Sequence, residues 1–400
     1  MTPADLRLRL SAHLDTLVER IGPRPPGSPA NRQATDYVTS VLTGAGLLVE
    51  ATPFTTSWWE PGTGRLELAD GSSLEVGPNP YSPPGTVSGD IVRLDAWSEL
   101  DADRPSLQGR VLVLGPALAG EPVMPKAFPF FSSEEHQHLI GFLEQQGPAA
   151  VIAVSDRHAS LPTFEDPDLD FPSITIAPGT AARLEPGHQV RLTLSGRTRR
   201  GQGVNVSAHA EGPSPRIVLS AHVDAKATTP GAFDNAASVA TLLALAESGL
   251  DLHGATDFVF FNGEDHYDAC GEQAWLASTD LGLVDLNINL DGAGVAGRRT
   301  AVTGFGCPPA LEEQLERIAG QPGWTRMPPW WESDHAIFAM QGIPAVAITS
   351  EGVHDLFTSV AHTANDTLKT IDIGILAGIV EVLGSMLVEF RPTLAVRAGT

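Results

Sequence analysis

The sequence of 400 residues has only two cysteines, Cys270 and Cys307. They allow at most one disulfide bond, so a small fold held together by several disulfides is excluded. No segment approaches the roughly 20 consecutive apolar residues of a transmembrane helix. The amino-terminal segment alternates charged residues with Leu and Val and lacks the continuous apolar stretch of a secretory signal. These absences predict a cytoplasmic protein that does not bind or span a membrane.

Basic residues are also scarce. The 25 Lys and Arg residues are outnumbered by 48 Asp and Glu residues, which gives a formal net charge of −23. Binding to a nucleic-acid backbone requires clustered basic residues that release counterions, and the sequence has no basic run. We therefore expect no nucleic-acid partner. With 42% hydrophobic and 18% charged residues, the composition is that of a globular protein.

The pattern of apolar residues changes twice along the chain. Residues 3–20 and 30–46 have helical spacing, and Leu6, Leu10, Leu14 and Val18 fall on one face. Residues 57–202 contain short apolar runs separated by Gly, Pro and Asp, which predict a mostly β domain. From residue 203 onward, apolar strands alternate with amphipathic helices, the pattern of an α/β sheet covered on its faces. We predict one α/β domain, made of 1–56 and 203–400, with 57–202 inserted.

Candidate metal ligands follow the predicted strands RIVLSAH, TDFVFFNG and LNINLDG or lie in nearby loops. In open α/β sheets, ligands bind beyond the carboxyl ends of the strands. Two imidazoles and three carboxylates are a suitable set for two neighbouring zinc ions, and a carboxylate with two oxygens can bridge them. The five candidates are His222, Asp234, Asp265, Asp291 and His362.

Two further acids complete this predicted site. Glu264 precedes Asp265, and adjacent carboxylates at the end of an apolar strand repel each other unless a cation is present. Glu264 can then remove a proton from water as a general base. Asp224, two residues after His222, can orient that imidazole. Thr363 and Asp366 are expected to orient the loop of His362.

Each residue has a structural alternative when it is taken alone. Asp234 can be the N-cap of the helix that comes after it, and Ser333 can cap a helix in the same way. Glu264 and Asp265 can lie in a solvated turn, and His362 can be an ordinary core or surface histidine. The joint occurrence of five ligands in this order favours the metal site.

The motifs AHVDA, GAFDNAAS, NGED, NLDGAG, SDHAIF followed by GIPAVAI, and HTANDT resemble those of the co-catalytic zinc aminopeptidases of metallopeptidase family 28. That family includes aminopeptidase Y, bacterial leucyl aminopeptidases and glutamate carboxypeptidase. The resemblance covers about 1–56 and 203–400. It implies a zinc-exopeptidase fold, a mixed central sheet flanked by helices, and identifies 57–202 as similar to an inserted protease-associated domain. It also implies that Asp234 bridges two zinc ions and that Glu264 is the general base.

The sequence departs from that family at two positions. Most relatives have Glu where this chain has Asp265, which is one methylene shorter, so either the loop moves inward or that metal site is weakened. Relatives often place Tyr before the last histidine, where this chain has Ala361. Tyr267 and His335 are the candidates for the missing oxyanion donor.

The predicted activity is hydrolysis of peptides by an aminopeptidase with two divalent cations, most simply zinc. Asp334, His335, Tyr267 and Trp331 are candidate substrate-binding residues, although core packing is the alternative for the Trp330–Trp331 pair. A carboxypeptidase or other amidohydrolase is the first rival, with a substrate carboxylate held by a basic residue. A glutaminyl-cyclase-like transferase and a non-enzymatic binding protein are the others. The candidates for the basic residue are Arg298, Arg299 and Arg326.

Overall fold

The chain divides into two compact units in a computed structural model. The structure describes residues 1–103, 105–130, 133–157, 161–209, 216–249 and 256–397. Met1–Thr56 and Arg200–Thr400 form one unit, here called the terminal unit. Ser57–Arg199 form the other, here called the inserted unit. Each unit has its own sheet.

The strands are β1 (Leu48–Glu60), β2 (Gly64–Glu67), β3 (Ser73–Val76), β4 (Gly85–Leu94), β5 (Val111–Leu114), β6 (Ala150–Val154), β7 (Ser173–Ile176), β8 (Gln189–Leu194), β9 (Arg197–His209), β10 (Arg216–His222), β11 (Thr256–Phe261), β12 (Val284–Leu290), β13 (Thr300–Phe305), β14 (Trp324–Arg326) and β15 (Ala345–Ser350). The helices are α1 (Pro3–Leu14), α2 (Pro29–Gly44), α3 (Pro116–Ala119), α4 (Glu134–Gln146), α5 (Pro178–Ala181), α6 (Ala237–Ala246), α7 (Cys270–Ser278), α8 (Pro309–Ala319), α9 (His335–Met340), α10 (Val353–Ser359) and α11 (Ile373–Arg397). Short π-helical segments cover Asp15–Ile21 and Ala232–Ala236.

The sheet of the terminal unit has the order β1-β9-β11-β10-β12-β15-β13-β14. Its central strands β11, β10, β12 and β15 run parallel to their neighbours within this group. Antiparallel pairing joins β9 to β11 and β13 to β15. The mixed α/β architecture confirms the predicted fold class. Because the central strands are parallel, their carboxyl ends meet at one edge of the sheet.

Helices bury their apolar faces against this sheet. Leu6, Leu10, Leu14 and Val18 are all buried in one core cluster, as their spacing predicts. The predicted helix over 3–20 is an α-helix only to Leu14 and continues as a π-helical segment. Every residue of α6 is buried, so this helix has no polar face and lies entirely within the core.

The inserted unit has a seven-stranded sheet with the order β3-β2-β8-β4-β5-β6-β7. Neighbours from β3 to β4 pair antiparallel, whereas β4 to β7 pair parallel. The parallel half alternates with α3, α4 and α5, so this unit is less purely β than the sequence predicts. The reason lies in β5 and β6, whose uninterrupted apolar residues are fully buried and suit a parallel sheet. Its likeness to a protease-associated domain stays a prediction.

Within the described part of the chain, the helices fall short of a transmembrane segment in length or in apolar character.

Candidate metal centre

The candidate ligands come together at the carboxyl edge of the central strands. His222 is the last residue of β10, and Asp291 comes directly after β12. Glu264 and Asp265 lie beyond β11 after a two-residue turn. Strands β11 and β12 both pair with β10 in parallel register, which is why these side chains reach one another.

One carboxylate lies between the two histidines. Oδ1 of Asp234 is 3.1 Å from Nε2 of His222, and Oδ2 is 2.9 Å from Nε2 of His362. The two oxygens of a single side chain therefore face two different imidazoles. This is the geometry that a bridging ligand between two cations requires.

Each histidine also faces a second aspartate. Oδ1 of Asp291 is 3.5 Å from Nε2 of His222, and Oδ1 of Asp265 is 2.7 Å from Nε2 of His362. The shorter Asp265 side chain thus still reaches the imidazole of His362. Lys226 supports this loop, because its Nζ donates to the main-chain carbonyl of Asp265 at 2.5 Å.

Buried donor atoms test whether this set fits metal ions. Nε2 of His222, Oδ1 of Asp291 and Oδ2 of Asp265 are buried and have no hydrogen-bond partner among the described residues. An unsatisfied buried polar atom costs about 1–3 kcal/mol, and more when it is charged. Nitrogen and carboxylate donors are zinc ligands. The side chains present therefore fit divalent cations.

The electrostatics of the site point to the same conclusion. Burial by itself would lower the pKa of His222, but the carboxylates of Glu264 and Asp291 outweigh it and raise that pKa well above its ordinary value. The pKa of His362 is raised for the same reason, chiefly by Asp265. The surrounding carboxylates therefore produce a strongly negative potential that favours any cation.

Glu264 differs from the aspartates in its access to solvent. Its side chain is 20% exposed, whereas those of Asp234, Asp265 and Asp291 are 5% exposed or less. Oε2 lies 3.8 Å from Nε2 of His222. Burial raises the pKa of Glu264 well above its ordinary value, and the Asp291 carboxylate adds to this effect. Glu264 is thus a basic group at the open side of the site.

Asp224 holds the loop that carries the adjacent acids. Its Oδ1 accepts a hydrogen bond from the amide of Gly263 at 2.8 Å, and its Oδ2 accepts one from the amide of Asp265 at 3.2 Å. Oδ1 also lies 3.5 Å from Nδ1 of His222. The side chain therefore holds the loop of the next candidate ligand by two hydrogen bonds and lies beside the imidazole of His222, whose Nδ1 makes no hydrogen bond to the described residues.

Asp366 orients a different segment from the one that the sequence predicts. Its carboxylate accepts hydrogen bonds from the amides of Phe233 at 2.5 Å and Asp234 at 3.1 Å. Burial, together with repulsion from Asp234, raises the pKa of Asp366 to about 7. It therefore positions Asp234, while Thr363 donates to the carbonyl of Val360 at 2.7 Å.

Sequence reasoning missed Arg24, which is fully buried. Its guanidinium donates to the carbonyls of Val223 at 2.7 Å, Pro230 at 2.9 Å and Gly231 at 2.9 Å. It therefore fixes the segment between His222 and Asp234. The available signal is a basic residue inside the segment IGPRPPG, whose Pro and Gly residues predict only a break between helices.

Both helix-cap alternatives are wrong. Asp234 has φ −121° and ψ 87°, and the N-cap position of α6 is Ala236, with no side chain capping the helix. The peptide bond after Asp234 is cis. The α9 helix likewise has no side-chain cap, and Ser333 Oγ instead accepts a hydrogen bond from Asn289 Nδ2 at 2.9 Å. Ser333 also hydrogen-bonds Asp291, so its contact is with a candidate ligand.

The four candidate substrate-binding residues have different surroundings. Trp331 is 52% exposed, whereas Trp330 is buried. His335 is also buried, its Nε2 lies 2.7 Å from the carbonyl of Trp330, and burial lowers its pKa to about 4. Asp334 is buried as well, and the Tyr267 ring lies against that of His266 at an interplanar angle of 37°, with 4.2 Å between centroids. Their roles with substrate stay predictions.

Several solved structures align with almost the whole chain. A zinc aminopeptidase from Bacillus subtilis aligns with a TM-score of 0.73 at 18% identity, covering 96% of this chain and 94% of that one. An aminopeptidase from Aneurinibacillus sp. strain AM-1 gives a TM-score of 0.70 at 19% identity, covering 97% and 96%. A peptidase M28 precursor from Shewanella amazonensis SB2B gives 0.72 at 18%, covering 96% and 95%. At these identities the likeness concerns the fold.

Curated relatives match a shorter stretch. A vacuolar membrane protease of Kluyveromyces lactis is 27% identical over 176 residues, which is 41% of this chain and 19% of that protein. The namesake from Clavispora lusitaniae is 24% identical over 166 residues, or 40% of this chain and 16% of that protein. The matched stretch is thus less than a fifth of the length of these relatives.

The family model for Peptidase family M28 matches residues 205–386. That range contains His222, Asp234, Asp265, Asp291 and His362. The part of the chain that carries the site therefore matches peptidase family M28, which is the family that the motifs resemble.

Proposed function

We propose that the chain is a metal-dependent aminopeptidase that removes amino-terminal residues from peptides with the help of two zinc ions. The carboxylate of Asp234, whose two oxygens face His222 and His362 at 3.1 and 2.9 Å, is the observation that carries this proposal. A single cation would need only one of these contacts. The match of residues 205–386 to the Peptidase family M28 model supports the reaction class.

Two groups of side chains would hold the cations. His222 and Asp291 would hold one, Asp265 and His362 would hold the other, and Asp234 would be shared. When bound, such ions lower the pKa of water and stabilise negative charge on a carbonyl oxygen. Asp224 would keep the imidazole of His222 in the orientation needed for coordination.

Glu264 would perform the proton transfers. Its raised pKa and its partly exposed side chain suit a group that takes a proton from the attacking water and gives it to the departing amine. A carboxylate with a raised pKa binds that proton more tightly between the two steps.

The carboxypeptidase alternative has less support. Two of its three candidate clamps, Arg299 and Arg326, are already paired within the chain, the first with Glu351 at 2.5 Å and the second with Glu312. A substrate carboxylate would have to displace these partners. The aminopeptidases among the structural neighbours favour removal of the amino-terminal residue instead.

The cyclase alternative rests on a weaker likeness. A glutaminyl cyclase from Porphyromonas gingivalis aligns with a TM-score of 0.50 at 15% identity. A site for a single zinc ion does not require one carboxylate whose two oxygens face two different histidines. The hydrolase with two metal ions therefore remains the proposal.

Paired substrates provide the test. We expect the purified protein to hydrolyse leucyl p-nitroanilide, to be inactive after chelation, and to lose nearly all activity when the same substrate is N-acetylated. Preference for the acetylated substrate would exclude an aminopeptidase. An active protein that retains full activity without metal would exclude the metal mechanism.

A single substitution tests the base. Glu264→Gln should lower kcat about 10²- to 10⁴-fold while the metal content stays equal to that of the parent. Glu351→Gln, which removes a carboxylate paired with Arg299, is the matched control and should leave kcat unchanged. Parental kcat in Glu264→Gln would contradict the assignment.

A further inference from the structure

A second cluster of metal-ligating side chains lies just beyond the dinuclear centre. His266, Asp268 and Cys270 alternate along the loop that leads into α7. Nδ1 of His266 lies 2.6 Å from Oδ1 of Asp268 and 3.7 Å from Sγ of Cys270. One ligand atom from each residue falls within 4.8 Å of the other two. The Nδ1–Sγ distance is close to that between tetrahedral ligands of one zinc ion, given bond lengths of roughly 2.0–2.3 Å. The shorter Nδ1–Oδ1 contact is a hydrogen bond, which a bound ion would replace.

The backbone brings these alternate residues to the same side. Ala269 adopts a left-handed conformation with φ 45° and ψ 42°. The resulting turn lets the amide of Cys270 donate to Oδ1 of Asp268 at 3.2 Å. A left-handed conformation costs an L-residue roughly 1–2 kcal/mol, so compensating interactions must hold the turn in place. Coordination of its three side chains by one ion would supply them.

The histidine is oriented as a ligand would be. His266 is buried, and its Nε2 lies 3.1 Å from the hydroxyl of Thr56, which is also buried. A ligating histidine usually uses its second ring nitrogen for such a hydrogen bond, which fixes the tautomer. With the proton on Nε2, the lone pair of Nδ1 would face the carboxylate and the thiol once an ion replaces the hydrogen bond between Nδ1 and Oδ1 of Asp268.

We propose that His266, Asp268 and Cys270 form a mononuclear site for a divalent cation with affinity for sulfur, such as zinc, separate from the dinuclear centre. The three side chains supply nitrogen, oxygen and sulfur donors, and water completes the coordination. The site does not depend on the proposed peptidase activity. Its position directly after Asp265 means that an ion here would fix the loop that carries a ligand of the dinuclear centre.

A catalytic thiol is the competing role for Cys270. A nucleophilic cysteine requires a lowered pKa, from a nearby cation or a helix N-terminus. Burial instead raises the pKa of Cys270, and the carboxylate of Asp268 raises it further. The free thiol therefore lacks the lowered pKa that a nucleophile needs, whereas a bound cation would displace its proton, as thiolate coordination requires.

Cobalt(II) distinguishes this site from the dinuclear centre, because the proposed dinuclear ligands contain no sulfur. Apoprotein titrated with cobalt(II) should develop a thiolate-to-cobalt charge-transfer band in the near ultraviolet. Cys270→Ser should abolish the band. Cys307→Ser is the matched control and should retain it, because the Cys307 thiol lies against the carbonyls of Phe305 and Ala345. Absence of the band from the parent, or its persistence in Cys270→Ser, would overturn the proposal.

Zinc stoichiometry provides the second measurement. The parent and Cys307→Ser should bind one more equivalent than Cys270→Ser. Asp268→Asn, which keeps the cysteine, should retain the fold while weakening the cobalt band, and so covers the case in which Cys270→Ser does not fold. Equal zinc content and an equal cobalt band in the parent and Asp268→Asn would count against the site. In Glu264→Gln the band should be unchanged, so failure of the peptidase proposal would remain distinguishable.

Discussion

The two sheets of this chain share a parallel group of strands but differ in the residues at the carboxyl ends of those strands. The group is β11-β10-β12-β15 in the terminal unit and β4-β5-β6-β7 in the inserted unit. In the first, His222 ends one strand and Asp291 comes directly after another. In the second, Asp95, Gly115, Ser155 and Ala177 come directly after β4, β5, β6 and β7, and Asp95 pairs with Arg93 at the surface. Among the described residues, every candidate metal group lies in the terminal unit.

The carboxyl ends of a group of parallel strands can therefore form a functional site, but whether they do so depends on the residues that come after the strands. The inserted unit also buries an acid, Asp166, but two backbone amides satisfy it, those of Lys126 and Asp168, each at 2.8 Å. Oδ1 of Asp291, at the edge of the other sheet, has no such partner in the described part of the chain. Buried carboxylates that the backbone leaves unsatisfied mark the metal site.

The strongest test of this contrast substitutes one buried aspartate in each unit. Asp234→Asn should remove at least one equivalent of metal and lower kcat/KM about 10³-fold or more, because a lost cation removes several kcal/mol of transition-state stabilisation. Asp166→Asn makes the same chemical change and should alter neither quantity. Metal analysis and aminoacyl anilide hydrolysis provide the measurements. Equal metal content in Asp234→Asn and the parent would contradict the claim that the buried aspartates of the two units differ in metal binding.

One arginine in each unit extends this comparison to stability. Arg24→Met should lower the free energy of unfolding by about 3–5 kcal/mol, because several carbonyls and nearby acids lose a fully buried cationic partner. Arg157 in the inserted unit donates to the carbonyl of Gly120 at 2.5 Å. Arg157→Met should cost only about 1–2 kcal/mol and spare the metal site. Urea denaturation measures both, and similar losses would show that Arg24 has no special role.

Most of the terminal unit could be predicted because its signals are local. The strands RIVLSAH and TDFVFFNG are apolar, and the ligands come at their ends. Arg24 could not be predicted as a positioning residue, because its partners at Val223 and Gly231 lie about two hundred residues away in sequence. The parallel half of the inserted unit could not be predicted for a related reason. Short apolar runs do not reveal which strands they pair with.

Loss of a residue that orients the ligands should weaken metal binding less than loss of a ligand does. Asp224→Asn should lower metal affinity about 10- to 100-fold without abolishing binding, because its contacts orient His222 and the amides of Gly263 and Asp265. Competition with a chromogenic chelator measures this change. Asp95→Asn is the control, since Asp95 comes directly after β4 in the inserted unit and pairs with Arg93 at the surface. A complete loss of metal would place Asp224 among the ligands.

The opposite end of β11 provides the test with the smallest expected effect. It asks whether a buried acid that has cationic partners behaves differently from the unsatisfied acids of the candidate metal site. Asp257 there is buried but has cationic partners, Arg216 and His209, the latter at 2.9 Å. The hydrogen bond to Asp257 raises the pKa of His209 above its ordinary value. The stabilisation is therefore complete below the unfolded pKa of about 6.5 and is lost as pH rises through the folded pKa.

His209→Gln should consequently reduce the difference in unfolding free energy between mildly acidic and mildly alkaline pH, by no more than about 1 kcal/mol because the side chain is 32% exposed. Urea denaturation at both pH values measures the change, and His188→Gln, at an exposed histidine of the inserted unit, is the control. An unchanged pH dependence in His209→Gln would mean that Arg216 alone compensates Asp257. The acid at one end of β11 would then differ from the unsatisfied acids beyond its other end only in its bond to Arg216. The lack of such an arginine would be what leaves those acids available to a metal ion.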